Sequence, residues 1–209
     1  VSNASLRWGF LAAFAALIGI VAGTALLKPA TVEIRSGTVL RTPRPVIDFV
    51  MNNADGKPFT KADLAGHWTV IFPGFTFCPD VCPTTLATLK AVREKLDAAD
   101  AAKVHVVMLS VDPERDTPEK LLAYVHAFSK DFVGITGSTE TLDRLGENIG
   151  YVYTKVPGAT AETYTIDHSA AMILIGPDAT LRGYFTPPYT VDALVADLRT
   201  LIATTPQAS

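Results

Sequence analysis

Cysteine is nearly missing from this chain: there are two in 209 residues. That excludes a small disulfide-stapled scaffold and weakens structural zinc, which wants four protein ligands. Charge is sparse too. Charged side chains make up 19% of the residues, the net charge is −3 and no basic cluster occurs, so nucleic acid is set aside as a partner. Internal repeats and low-complexity stretches are absent, which sets repeat architectures aside.

What the chain does have is one long apolar run. Residues 8–27 carry no charged side chain, and about 20 such residues cross a bilayer core as a helix. Trp8 at its start suits the membrane interface. A cleaved signal peptide would have a shorter apolar region and a small-residue cleavage site; Leu26-Leu27-Lys28-Pro29 is a poor one. The expectation is an uncleaved anchor over 1–28 and a tether over 29–45, where Pro29, Gly37, Pro43 and Pro45 punctuate polar residues. A globular domain follows over 46–203, with a short tail over 204–209.

Within that domain, apolar stretches at 46–50, 68–72, 105–111, 133–136, 151–156, 164–167, 170–175 and 181–185 read as strands. Helical spacing appears at 84–98, with Leu86, Leu89, Val92 and Leu96 on one side. Thr117-Pro118-Glu119 opens a helix reaching 128. Ser138 opens another to 149, stopped by Gly150, and 190–202 closes the chain. Strands alternating with helices imply a mainly parallel sheet covered on both faces. A late hairpin adds antiparallel strands. The fold class is α/β. A strand, then a cysteine pair, then a helix is the arrangement of a thioredoxin-like fold.

The two cysteines stand four apart, in Phe75-Thr76-Phe77-Cys78-Pro79-Asp80-Val81-Cys82-Pro83. Three uses are open: a disulfide, a redox couple, or two soft metal ligands. A staple closing so small a loop would constrain the unfolded chain little. Pro83 lacks an N–H and is tolerated only in a first helical turn, so the helix starts near Val81 or Cys82 and Cys78 lies just before it. Free N–H groups and the positive end of the helix dipole lie there, which favours thiolate. Two thiolates need a third ligand. His67 reads as an edge residue, and His105 and His126 as structural or solvated. His168 differs, because it directly precedes the last core strand, where loops at one sheet edge converge. Met172 reads as core.

Three segments together resemble the Sco/SenC family of membrane-tethered copper proteins: the cysteine motif, Ser110-Val111-Asp112-Pro113-Glu114-Arg115-Asp116-Thr117-Pro118, and Asp167-His168-Ser169. The likeness covers roughly 46–201. It implies a thioredoxin-like fold, with Cys78, Cys82 and His168 as ligands for Cu(I) or Cu(II) and Asp112 near the site. The role it implies is maturation of the binuclear copper (CuA) centre of cytochrome c oxidase. Phe77 departs from the polar residue, such as His or Tyr, that members often carry there. Gly176 and Ala179 replace the usual Asp and Gly of a turn. Two thiolates and an imidazole are a soft set suited to copper.

Two functions are carried forward. One is a copper chaperone that delivers to oxidase subunit II and depends on an upstream copper donor and a thiol reductant. The other is a thiol–disulfide oxidoreductase reducing cysteines of such a target through Cys78 and Cys82, which leaves open whether the chain is an enzyme. General oxidoreductases more often use Cys-x-x-Cys and carry a proline where this chain has His168-Ser169-Ala170-Ala171. The expected location is a bacterial inner membrane with the domain in the periplasm. The alternative is the mitochondrial inner membrane, against which no long Arg- and Ser-rich transit segment stands.

Overall fold

A computed structural model describes residues 32–159 and 163–204. The anchor expected over 8–27 lies outside them. Among the described residues no helix is long and apolar enough to cross a membrane.

The centre is β4 (Trp68–Gly74), buried along its whole length, as a strand covered on both faces must be. It pairs in parallel with β5 (Val104–Ser110), and β5 in parallel with β6 (Val133–Thr136). On the other side β4 pairs antiparallel with β9 (Met172–Ile175), then β10 (Thr180–Phe185), then β1 (Gly37–Pro45). Beyond β6 lies the hairpin of β2 (Val50–Asn53) and β3 (Pro58–Thr60). A separate two-stranded ribbon, β7 (Tyr153–Val156) with β8 (Thr165–His168), stands outside this eight-stranded sheet. The helices are α1 (Val81–Lys95), the single turn α2 (Ala98–Ala101), α3 (Pro118–Phe128), α4 (Thr139–Ile149) and α5 (Val191–Thr204).

The mixed sheet with flanking helices agrees with the expected fold class, but it is not mainly parallel. A parallel neighbour requires a crossover connection. The α1 connection from β4 to β5 and the α3 connection from β5 to β6 supply the parallel pairings, while the remaining strands enter by reversals.

The tether is the second correction. Over 37–45 it is strand β1, paired to β10 with a register shift between Val39 and Arg44. Pro43 and Pro45 concealed it, because proline is compatible with an edge strand. The segment before it is held as well. The buried Asp197 carboxylate of α5 accepts the backbone N–H groups of Arg35 (2.9 Å) and Ser36 (2.7 Å). The expected strand over 46–50 lies later, at β2. In the turn after β9, Ala179 adopts φ 54°, a left-handed conformation that costs an L-residue roughly 1–2 kcal/mol.

At the sheet end remote from the cysteines, His67 and His105 stack with ring centroids 3.4 Å apart. Burial, then repulsion from His105, pulls the His67 pKa down to about 4, against an opposing pull from Asp63. His105 is lowered in the same sense by burial and by Arg93, with Asp131 opposing. Between the ordinary value near 6.5 and about 4, the unfolded chain binds a proton that the folded protein refuses. Stability should therefore be intact above pH 6.5 and decline as the pH falls toward 4. Urea midpoints at pH 7.5 and 4.5 measure this, and His67→Gln should shrink the difference.

Candidate metal centre

The cysteine loop leaves β4 and enters α1, whose first residue is Val81, as Pro83 required. Cys82 is fully buried in the second helical position, and Cys78 is 8% exposed in the loop before it. The Cys82 N–H, one of the free donors of the helix start, donates to Cys78 Sγ at 3.4 Å. The expected attraction of sulfur to the helix N-terminus is thus realised at Cys78.

Cys82 behaves differently. Burial, reinforced by the Cys78 sulfur, pushes its thiol well above the usual range. Burial outweighs the opposing backbone hydrogen bond at Phe75 and so favours the thiol form of Cys82. A metal ion has to displace that proton to bind.

His168 is the last residue of β8, not a loop residue, and the ribbon carries it over the cysteine loop. Its Nε2 lies 3.7 Å from Cys82 Sγ, and its Nδ1 lies 3.0 Å from the Ser169 carbonyl oxygen. A carbonyl only accepts, so Nδ1 carries the proton and the Nε2 lone pair faces the sulfurs. Burial lowers the His168 pKa, which keeps the imidazole neutral as a ligand must be. Phe72 and Phe75 meet the ring edge-on, with centroids 6.0 and 5.9 Å away.

The donor atoms of Cys78, Cys82 and His168 all lie within 4.8 Å of one another. Metal–sulfur and metal–imidazole bonds of about 2.3 and 2.0 Å, as at zinc, span up to ~4.3 Å between donors. The 3.7 Å between Cys82 Sγ and His168 Nε2 lies within that span. Two sulfurs and one imidazole fit a soft metal ion such as Cu(I). A cleft of about 300 Å³ is lined by Cys78, Pro79, Asp167 and His168, while Cys82 is fully buried and does not line it.

Asp112, expected near the site, is 2% exposed and outside the three-donor cluster. Its carboxylate accepts from Tyr164 Oη and Arg115 Nε. Capping of α3 falls to Thr117. Met172 is core, and His67, His105 and His126 are not in the cluster. Sequence reasoning missed Gly74. A Cβ there would sit 3.1 Å from Cys82 Sγ and 2.9 Å from the Phe72 ring, so any side chain would push on the sulfur and the ring. The available signal was a glycine closing an apolar strand.

A family model described as SCO1/SenC matches residues 40–203. The mouse protein named SCO2 homolog, mitochondrial, is 36% identical over 157 residues, covering 75% of this chain. The chain spans 62% of that relative's length. The crystal structure of Arabidopsis thaliana ScoI with copper bound aligns at TM-score 0.71 and 33% identity, over 76% of this chain and 98% of that one. Bradyrhizobium japonicum ScoI with copper bound aligns at TM-score 0.68 and 33% identity, over 75% and 99%.

Proposed function

The chain belongs to the SCO1/SenC family, and on that premise we propose that it is a copper chaperone. Cys78, Cys82 and His168 take one copper ion as cargo and pass it to the CuA centre of cytochrome c oxidase subunit II. Carrying the proposal is one observation: the three donors converge on one point, with the His168 lone pair turned toward the sulfurs. The copper-bound relatives support the choice of metal. The apolar run over 8–27 supports tethering to a bacterial inner membrane, with the domain in the periplasm; the mitochondrial inner membrane is the alternative.

In this reading cargo enters through the cleft, meets Cys78 first and displaces the Cys82 proton as it settles. Transfer is an exchange of sulfur ligands between two proteins, with no substrate turned over. Oxidation of the two thiols to a Cys78–Cys82 disulfide passes two electrons to a two-electron oxidant, releases two protons and removes two of the three donors, so the upstream thiol reductant that returns those electrons sets the fraction able to load.

A reductase reading rests on the same sulfurs. Its attacking group would be Cys78, the more exposed thiol and the one that receives the helix N–H. Titrating the reduced protein with Cu(I) against a competing chelator, under anaerobic conditions, separates the two. One copper per chain is expected; no retained copper, together with turnover of protein disulfides, would favour the reductase.

A further inference from the structure

The motif from Ser110 to Pro118 supplies none of the three donors, yet it lies against both halves of the site. The ribbon that carries His168 belongs to no larger sheet, and the nearest backbone ladder to it, β9 on β4, begins past the ribbon's end. Two carboxylates on the loop between β5 and α3 connect the ribbon with the cysteine loop. Asp116, 1% exposed, accepts from the Thr76 N–H (3.0 Å), the Thr76 hydroxyl (2.5 Å) and the Ser110 hydroxyl (2.6 Å). Thr76 is two residues before Cys78. Asp112 accepts from the Tyr164 hydroxyl at 2.6 Å, and Tyr164 is four residues before His168.

Arg115 completes the connection. Its Nε donates to Asp112 (2.5 Å) and its Nη1 to the Tyr164 carbonyl (2.8 Å). The guanidinium lies 3.6 Å over the Tyr164 ring and 4.8 Å from the centre of Phe77. The Asp116 N–H donates to the Asp112 carbonyl (2.9 Å), so both carboxylates sit in one hydrogen-bonded turn. The ribbon also meets the cysteine side through the His168 ring against Phe72 and Phe75, but its other polar ties are exposed or lie beyond its end. The Lys155–Glu114 pair is solvent-exposed, and exposed pairs contribute little. Tyr189 donates to the Ala170 carbonyl beyond the ribbon's end.

We infer that this loop is a two-armed positioning device for copper loading. Asp116 holds the cysteine arm, and Asp112 with Arg115 holds the histidine arm. Together they keep sulfur and imidazole at bridging distance before cargo arrives. None of the three is placed as a ligand; each acts through another residue. The inference rests on the copper-binding reading and adds how that site is pre-organised, which metal sites require of the residues around their ligands.

Tyr164→Phe tests the histidine arm, because it deletes one hydroxyl and keeps the ring under Arg115. In the reduced, metal-free protein, hydrogen exchange of the β7–β8 amides should speed up by about 10-fold while β4 and β5 stay unchanged. Cu(I) affinity should fall about 10-fold, the lower end for outer partners of metal ligands, and this loss should vanish in a His168→Ala background. An equal loss in both backgrounds, or unchanged ribbon exchange, would overturn the positioning role. Asp112→Asn is the second variant and should show the same pattern. If the wild-type protein retained no copper, the chaperone reading would fail, while the exchange measurement would still decide whether Asp112 and Tyr164 hold the ribbon.

Discussion

Cys82→Ser is expected to leave a folded protein that no longer retains copper. The reduced wild-type protein in copper at about 1,000 times its Kd gains roughly 4 kcal/mol from binding. At about 2–4 °C per kcal/mol for a domain of this size, that is a Tm rise on the order of 10 °C. The serine variant should show no rise, because a hydroxyl stays protonated and is a hard donor where a soft thiolate is needed. Its metal-free form should lose only about 1–3 kcal/mol, the cost of a buried hydroxyl without a full set of partners. Comparing thermal unfolding with and without Cu(I) checks both statements. A copper-dependent rise that survived in Cys82→Ser would remove Cys82 from the site, despite its complete burial against His168.

The second large effect belongs to His168→Ala. Partners of metal ligands are worth 10–100-fold in affinity, so loss of the ligand itself should cost more than about 100-fold for Cu(II). The loss should be smaller for Cu(I), which two thiolates still satisfy. Chelator competition in each oxidation state measures this directly. The same variant divides the two functions. A disulfide reductase working through Cys78 and Cys82 keeps its activity without the imidazole, whereas a chaperone holds its cargo more weakly, most of all Cu(II). Equal copper affinity in wild type and His168→Ala would leave the 3.7 Å approach of Nε2 to Cys82 Sγ as packing alone.

Much of the cysteine half was legible because it is local. Pro83 dictates where α1 begins, and that start dictates which N–H is free to meet Cys78 Sγ. His168 was legible as a residue type near a strand boundary. Its convergence on the cysteines was expected from loops meeting at one sheet edge, but not that a ribbon outside the main sheet delivers it. The links from Asp116 to Thr76 and from Asp112 to Tyr164 join residues 40 and 52 positions apart. No periodicity records such contacts. Strand β1 stayed hidden because its prolines carry a tether's signature, although an edge strand accepts them.

By itself, then, the sequence determined the donor types, the start of the helix beside them and a strand that delivers the cysteine loop. These follow from bond geometry and from neighbours along the chain. Only the tertiary structure decided that burial raises the Cys82 thiol above its ordinary range, that the imidazole turns Nε2 toward the sulfurs, and that one loop hydrogen-bonds to segments beside both halves of the site. Protonation and ligand spacing depend on desolvation and on side chains brought together from distant segments, and those exist only once the chain has packed.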